Sequence, residues 1–219
     1  MAFLQKLNRL EVEKIAVLVA TPYEECLERN ENRERTISKE VITRMYHNFY
    51  VPQYFEGFDD IQIRFNTEKE FDRTLLFERM DKFEQDNPHH KLTLGKHCRK
   101  CAKIIMKHNL YNVLTINAGL IHDIGKLETK TFVNSKGETT DIAHYYEHEK
   151  VGAYMSLFYT RDLDLININE ILYIAKLIQW HMLPWQDLSK KNKDKWKNRL
   201  GKEFWNDLMV LHYADKEAH

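Results

Sequence analysis

The sequence lacks several features that would assign a protein to a class directly. Its 33 Lys plus Arg residues equal its 33 Asp plus Glu residues, so no net charge points to nucleic acid or a membrane. The longest uncharged apolar run, Ile15 to Ala20, is far shorter than the roughly 20 residues that span a bilayer. The polar sequence after Met1 has no signal-peptide core, and three cysteines argue against a disulfide framework. We therefore expect a cytoplasmic protein without a membrane partner.

Glycine is also scarce, and its placement excludes one kind of site. None of the seven glycines precedes Gly57, and no Gly-x-x-x-x-Gly-Lys-Ser/Thr segment occurs. The stretch from Gly119 to Lys126 is not such a loop, because five residues separate its two glycines and Leu127 follows. The chain therefore has no loop of the kind that cradles nucleotide phosphates.

The chain divides into three predicted parts. Residues 1–65 contain the strand-like patterns, residues 66–95 form a charged connector, and residues 96–219 are almost entirely helical. The fold class is mainly α, with a small partial α/β segment at the N-terminus. Helices are predicted from the apolar periodicity at about 73–85, 94–109, 111–123, 147–160, 167–181 and 201–217, with a loop at Asn134–Gly137.

The N-terminal segment, residues 1–65, alternates helices and strands. The continuous apolar run Lys14–Ala20 is typical of a parallel strand covered on both faces, and the alternating run Ile61–Phe65 indicates a second strand. Between them, one helix follows Thr21, a candidate N-cap, and another runs from about Ser38 to Phe49. An amphipathic helix is predicted before the first strand, from Phe3, Leu4, Leu7 and Leu10.

The chain has 11 histidines, and several lie on the apolar faces of predicted helices. His97, for example, shares a face with Cys101 and Ile105, because residues four and eight apart lie on one side of a helix. One inward histidine is usually only a hydrogen-bonded core residue. The same pattern recurs on five helices, with the inward polar groups His97, His122, Asp123, His148, His181 and Asp215.

Four imidazoles and two carboxylates would be costly to bury in one core unless a cation compensated them. This mixture of ligands suits manganese, iron, zinc and related ions, whereas four thiolates would indicate structural zinc. We therefore predict one or two divalent ions, chosen from manganese, iron, nickel, cobalt, zinc and magnesium.

Four short motifs, in order, resemble the HD-domain metal-dependent phosphohydrolase superfamily over about residues 88–219. They are His97, Gly119-Leu-Ile-His-Asp-Ile-Gly-Lys126, Tyr145-Tyr-Glu-His-Glu-Lys-Val-Gly-Ala153 and His212-Tyr-Ala-Asp215. The resemblance implies that His97, His122, Asp123 and Asp215 hold a first ion. His148 and His181 match the extra histidines of two-metal members, with Asp123 bridging.

The same resemblance implies roles near the ions. Asp123 and Lys126 would be catalytic, and Lys126 matches a lysine that members often direct at a substrate phosphate. His144 precedes His148 by four residues and is expected to share its helical face, outside the inner ligands.

Residues 1–65 resemble the C-terminal half of a P-loop kinase of the polynucleotide-kinase type. The resemblance rests on Ala20-Thr-Pro-Tyr-Glu-Glu-Cys-Leu-Glu-Arg-Asn-Glu-Asn-Arg33, followed by Val41-Ile42, Pro52 and Glu56-Gly57. It implies that Arg29 and Arg33 contact nucleotide phosphates, although a small α/β cap unrelated to kinases is the alternative. Because the phosphate loop is missing, we expect no kinase activity, and the resemblance leaves open whether the chain is a piece of a longer kinase–HD fusion.

Three weaker patterns remain. Cys98 and Cys101 form a lone C-x-x-C inside a predicted helix, which favours packing over zinc. Residues 190–202 hold seven basic residues, one acidic residue and Trp196, a composition that is usually a solvated face but could grip a phosphate backbone and stack a base. Trp180 and Trp185 flank His181 and are either walls of the metal pocket or core residues.

The resemblances predict a metal-dependent phosphohydrolase acting on a phosphomonoester or phosphodiester. The substrate would be a nucleotide or a nucleic-acid end, for example a 2′,3′-cyclic or 3′-phosphate. Two alternatives stay open: a di-iron oxygenase, which some family members with six ligands are, and a non-catalytic nucleotide-sensing module. An exposed sheet edge in the N-terminal segment would also favour a homodimer.

Overall fold

A computed structural model describes residues 12–108, 112–161, 163 and 166–219. The predicted helix over Phe3 to Leu10 lies outside these residues. The fold is mainly helical with a small α/β part near the N-terminus, which confirms the predicted fold class. Within the described residues, no helix is both long enough and apolar enough to cross a membrane.

The α/β part contains two parallel strands joined by two helices. Strand β1 (Ile15–Ala20) pairs in parallel with β2 (Asp60–Phe65), and helices α1 (Tyr23–Glu31) and α2 (Lys39–His47) lie between them in the chain. A 3₁₀ turn at Tyr54–Glu56 precedes β2. The predicted parallel pairing is therefore confirmed.

The prediction that β1 is covered on both faces is wrong for the described residues. Leu18 and Ala20 are buried, but Ile15, Val17 and Val19 are 44–56% exposed. Alternate side chains of a strand point to opposite faces, and here one face alone packs against the helical part of the molecule. Thr21 does not cap α1 either, because Pro22 occupies the cap position without a side-chain bond.

Two polar contacts attach this segment to the helical part. The Tyr154 hydroxyl accepts a hydrogen bond from the Thr21 amide (3.0 Å) and donates one to the Thr21 carbonyl (2.7 Å). The Gln179 side-chain oxygen accepts from the Val51 amide at 2.6 Å. Buried backbone groups need such partners, so both contacts fix the segment against the helices.

The remaining residues form the helical part and the helix that leads to it. In chain order the helices are α3 (Arg73–Lys82), α4 (Leu94–His108), α5 (Val113–Ile121), α6 (Lys126–Thr129), α7 (His148–Arg161), α8 (Ile168–Trp180), α9 (Lys190–Leu200) and α10 (Lys202–Ala218), with a 3₁₀ turn at Leu183–Trp185. Caps define several ends: Asp72, Asn112, Asn167 and Ser189 each accept a bond from the first turn that follows.

Three features differ from the predicted helices, and the first is α9 (Lys190–Leu200), which lies where no helix is predicted. The helix predicted over 111–123 ends at Ile121, so His122 and Asp123 lie in a turn between α5 and α6. Strands β3 (Lys130–Val133) and β4 (Thr139–Tyr145) form an antiparallel hairpin where only a loop was expected. Its turn contains Gly137 at φ +83°, a backbone conformation that favours glycine.

Candidate metal centre

Five parts of the helical region bring the six predicted ligands together. His97 lies on α4, His122 and Asp123 lie in the turn after α5, and His148 is the first residue of α7. His181 directly follows α8, and Asp215 lies on α10. All six are at most 7% exposed.

Asp123 lies at the centre, and its two carboxylate oxygens face different imidazole pairs. Oδ2 lies 3.6 Å from Nε2 of both His97 and His122. Oδ1 lies 3.3 Å from Nε2 of His148 and 3.6 Å from Nε2 of His181. Within each pair the two Nε2 atoms are 3.3 Å apart. The ligands therefore form two groups that share one carboxylate.

Asp215 completes the first of these groups. Its Oδ1 lies 3.0 Å from His97 Nε2 and 3.3 Å from His122 Nε2. Its Oδ2 accepts a hydrogen bond from the indole nitrogen of Trp185 at 3.2 Å. This bond fixes the carboxylate, leaving Oδ1 directed at the imidazoles.

Backbone carbonyls set the orientation of three imidazoles. Each Nδ1 lies within hydrogen-bond distance of the carbonyl three residues earlier, so Nδ1 donates to that carbonyl and Nε2 is directed into the centre. The pairs are His122 with Gly119 (2.9 Å), His148 with Tyr145 (2.8 Å) and His181 with Ile178 (2.6 Å).

These residues fit one or two divalent ions. Imidazole nitrogen bonds such ions at about 2.0–2.1 Å, which places neighbouring ligand atoms about 3 Å apart. The observed separations of 3.0–3.6 Å lie close to that spacing. The sets His97, His122, Asp123 and Asp123, His148, His181 each offer three ligand atoms within 4.8 Å of one another.

Burial and neighbouring charges shift the pKa values of several residues in the centre. Burial alone would raise the pKa of Asp123, but Lys126 and His122 hold it well below its usual range. Burial alone would lower the pKa of His122, whereas Asp123 raises it well above the ordinary value. Burial lowers the pKa of His97. Asp123 is therefore ionised in the folded chain, which is the state that binds a cation.

Lys126 lies at the first turn of α6 and is 4% exposed. Its ammonium group lies 2.7 Å from Asp123 Oδ2, 3.0 Å from Gln85 Oε1 and 3.3 Å from His90 Nε2. An ammonium has three N–H donors, so each has a partner in this arrangement. To contact a substrate phosphate, Lys126 would have to give up its bond to one of these three partners.

A cavity of about 640 Å³ opens onto the centre. Asp123, His148, His181 and Asp215 form part of its wall. The other polar residues that line it carry amide, imidazole, phenol, indole or ammonium groups and no carboxylate; they are Asn87, His89, His90, Lys126, His144, Tyr145, Tyr146, Trp185, Lys216 and His219. Such a wall suits an anionic ligand.

His144 lines this cavity, but not from the predicted position. It lies on strand β4 and therefore does not share a helical face with His148. Its ring stacks on Tyr146 (centroids 5.6 Å apart), and its Nε2 lies 3.3 Å from Thr140 Oγ1. The hairpin places it at the wall of the cavity, outside the inner ligands.

Arg29 and Arg33 lie elsewhere. They line a second cavity of about 400 Å³ in the N-terminal segment, and no residue lines both cavities. Arg29 also bonds to Glu25 (2.6 Å) and to the carbonyl of Asn66 (2.8 Å). The structure does not bring the two arginines to the metal centre, and their predicted phosphate contacts stay a prediction.

Sequence reasoning did not identify His90, His219 or Gln85. The imidazoles of His90, His97 and His219 form a third group that could hold a cation. Burial, followed by the charge of Lys126, lowers the pKa of His90 to about 3, so its neutral ring accepts from Lys126. The sequence contains one signal for His219. It lies four residues after Asp215, one helical turn away, which places it on the same side of the helix.

The cysteine and tryptophan patterns also have definite places in the structure. Cys98 and Cys101 are buried on α4, and burial raises the pKa of Cys101 to about 12, as expected for packing. Trp185 walls the cavity, whereas Trp180 packs against Trp196 with ring centroids 4.9 Å apart. Base stacking by Trp196 is therefore not supported, because its ring lies half-buried against Trp180.

Comparison with protein families matches residues 94–218 to the model described as HD domain. No curated protein and no solved structure matches the chain. The matched region contains all six converging residues and more than half of the chain. This match does not extend into the N-terminal segment. The chain therefore belongs to the HD-domain family.

Proposed function

We propose that this chain is a metal-dependent phosphohydrolase acting on a phosphomonoester or phosphodiester of a nucleotide or a nucleic-acid end. Membership of the HD-domain family implies a metal-dependent hydrolase-type fold. The observation that carries the proposal is the buried Asp123, whose two oxygens face separate imidazole pairs beneath an open cavity.

Two divalent ions would be held by this arrangement. His97, His122, Asp123 and Asp215 would hold the first, and Asp123, His148 and His181 would hold the second. Bound divalent ions supply Lewis acidity toward a phosphoryl oxygen and lower the pKa of a bound water. Trp185 keeps Asp215 oriented, and the Nδ1 bonds keep the imidazoles oriented.

The chain's own residues also favour a phosphate-bearing substrate. Lys126 places a positive charge beside Asp123 at the cavity floor, and His144 faces the cavity from the hairpin. Lys216 and His219 add further donors at the wall. A phosphoryl group would meet cations and neutral donors there, which stabilise charge that develops during transfer.

The nucleotide part of the proposal has a separate basis, which lies in the N-terminal segment. It comes from the kinase-like pattern in residues 1–65 and from the second cavity beside Arg29 and Arg33. The 2′,3′-cyclic or 3′-phosphate of an RNA end is the specific substrate we propose.

The test is phosphate release from mononucleotides, cyclic nucleotides and phosphate-ended oligonucleotides. Each is assayed with manganese, nickel, cobalt or EDTA, beside an Asp123→Ala variant. We expect turnover that requires the ion and is lost in the variant, because Asp123 links both ligand groups. Turnover that survives Asp123→Ala would contradict the assignment.

A di-iron oxygenase would need the same six residues, and all six converge here. The proposal predicts rates that are equal with and without oxygen. Oxygen consumption coupled to substrate loss, with no phosphate released, would replace the phosphohydrolase by the oxygenase.

A further inference from the structure

Helix α9 carries a concentration of positive charge in a chain that is neutral overall. Residues 190–202 contain seven basic residues and one acidic residue, and no residue of α9 is buried. Within the described part of the chain, none of these seven basic side chains forms an ion pair. Arg199 lies over the Phe55 and Trp196 rings, and the six lysines of this stretch can meet an external polyanion.

One side of α9 is occupied by packing. Trp196 contacts Trp180 and, at 6.4 Å between centroids, Phe55. Lys191, Lys193 and Lys195 are exposed. The helix is thus anchored by its aromatic side, and the lysines face solvent.

The helix lies next to the metal cavity. Four residues separate Trp185, which lines the cavity, from Lys190 at the start of α9. The Trp185 ring lies 4.8 Å from the His212 ring, on the helix that carries Asp215. Burial lowers the pKa of His212, and the charge of Lys193 contributes in the same direction. The basic helix therefore begins close in sequence to Trp185, which lines the cavity.

Trp185 supplies a different kind of contact from the lysines. Its indole nitrogen bonds to Asp215, and 41% of its surface is exposed at the cavity. A fixed, exposed indole beside a phosphate-binding centre is suited to stack a nucleobase. This feature favours nucleic acid over an anionic membrane or an acidic protein.

We propose that α9 and Trp185 form a binding surface for single-stranded nucleic acid, whose terminal phosphate enters the metal cavity. The inference rests on the proposed function, and it adds the surface that would bind the nucleic-acid strand next to its phosphate end. An 11-residue helix is about 16 Å long, which corresponds to roughly five stacked nucleotides.

The test compares two triple variants with equal losses of charge. Lys191→Gln, Lys193→Gln and Lys195→Gln remove charge from α9, and Lys39→Gln, Lys82→Gln and Lys103→Gln remove it from exposed positions on three other helices. Glutamine and lysine have similar helix propensities, so neither set should alter folding. Binding of a fluorescent ten-nucleotide single strand is measured by anisotropy at several salt concentrations.

The α9 variant should bind the single strand at least tenfold more weakly, and its salt slope should fall by about two, since each phosphate contact in a single strand contributes about 0.7. The control variant should match the wild type. Trp185→Leu should weaken binding further than Trp185→Phe, which keeps a ring to stack. Equal binding by all variants, or tighter binding to phosphatidylserine vesicles than to the oligonucleotide, would overturn the inference.

Turnover separates this inference from the proposed function. The ratio of kcat/KM for a phosphate-ended oligonucleotide to that for the matching mononucleotide should fall at least tenfold in the α9 variant. Hydrolysis of mononucleotides with no oligonucleotide binding would leave the proposed function standing and remove this inference. Binding that depends on α9, without hydrolysis of any phosphate ester, would support the binding surface and remove the proposed function.

Discussion

Asp123 differs from the other five candidate ligands because each of its oxygens faces a separate group. The His97 and His122 nitrogens lie near Oδ2, and the His148 and His181 nitrogens lie near Oδ1. Asp215, in contrast, directs one oxygen at the first group and the other at Trp185. A loss of Asp123 should therefore affect both ion sites, whereas a loss of His181 should affect one.

Lys126 compensates the buried carboxylate in the absence of ions. Lys126→Met would leave Asp123, Gln85 and His90 without their ammonium partner. Breaking a buried pair by removing one member is costly, so we expect a loss of about 3 kcal/mol in the free energy of unfolding of EDTA-treated protein. Urea unfolding measures it, and the loss should shrink when ions replace the missing charge.

Lys130→Met is the matched control for this variant. Lys130 pairs with Asp86, but the side chains are 23% and 49% exposed. A surface pair of this kind contributes less than about 1 kcal/mol. Equal losses for the two variants would contradict the view that Lys126 is the buried counter-charge.

Lys176 is a buried cation outside the centre. It is 8% exposed, its ammonium lies 4.6 Å from the centroid of the Tyr54 ring, and burial lowers its pKa to about 8, although the charge of Glu56 acts in the opposite direction. An unfolded lysine has a pKa of about 10.4. Below pH 8 the group is charged in both states, and the folded state bears the full cost of burying the charge. Between about pH 8 and 10.4 the unfolded chain binds more protons, so the Lys176 contribution makes the protein more stable as pH rises.

Lys176→Met should therefore stabilise the protein at pH 7, by about 2 kcal/mol. The gain should narrow as the pH rises from about 8 to 10.4, because the wild-type lysine loses its charge over that range. Chemical unfolding at several pH values measures the difference. A gain that stays constant or grows up to about pH 10.4 would show that Lys176 keeps an ordinary pKa.

At the scale of elements, the centre depends on a close crossing of the turn before α6 with helix α7. A Cβ added at Gly125 would overlap the carbonyl oxygen of His148 and lie 2.6 Å from the Gly152 nitrogen. Glycine at this position therefore lets α7 approach until His148 reaches Asp123. Gly125 therefore contributes through packing, because the space beside its Cα has no room for a side chain.

Gly125→Ala should force α7 away and cost about 3 kcal/mol or more. It should also weaken the second ion site, which includes His148. Gly137→Ala is the control, because nothing lies within 4 Å of its added Cβ and only its φ of +83° is unfavourable, at about 1 kcal/mol. Thermal unfolding and ion content measure both effects. A Gly125→Ala protein with the Tm and ion content of the wild type would contradict the close crossing.

Most helices could be predicted because their apolar periods are long, whereas α9 could not, because its residues are mostly charged. The pattern around Cys101 and Ile105 indicates both the helix and the face that carries His97, and burial of these residues agrees. The hairpin β3–β4 could not be predicted from the sequence. Its strands are only four and seven residues long, and Phe132, Val133 and Ile142 are exposed. Short half-exposed strands have weak patterns.

The residues of the metal centre also fall into two groups, those that could be identified from the sequence and those that could not. Residues that recur on helical faces or in the HD motifs, such as His122 and Asp215, could be identified from the sequence. His90 and Gln85 could not, because they lie outside the regular helices and reach Lys126 only through the tertiary fold. Side chains brought together from distant loops leave no periodic signal.

At the scale of the whole molecule, the α/β part and the helices share one apolar core. Leu18 and Ile63 belong to the same buried cluster as Leu157 and Ile178. The opposite sheet face, with Ile15, Val17 and Val19, remains exposed, and in the described residues the sheet has only two strands. In this two-stranded sheet each strand also has an edge that no further described strand pairs with, and such an edge is a site for pairing with another chain.

We expect this edge to give a homodimer in solution. Sedimentation velocity of the wild type should show a dimer at micromolar concentration, and Val17→Lys should shift it to the monomer, since lysine on an edge strand opposes pairing. Lys39→Gln, at an exposed helical position, is the control. A wild-type protein that sediments as a monomer would rule out this assembly.

The ion content per chain tests the two-site centre most directly. Inductively coupled plasma mass spectrometry of protein loaded with manganese and then desalted should give about two ions for the wild type, about one for His181→Ala and well below one for Asp123→Ala. Circular dichroism would confirm that each variant is folded. An Asp123→Ala protein that is folded and retains as many ions as the wild type would contradict the bridging role of Asp123, and with it the proposed centre.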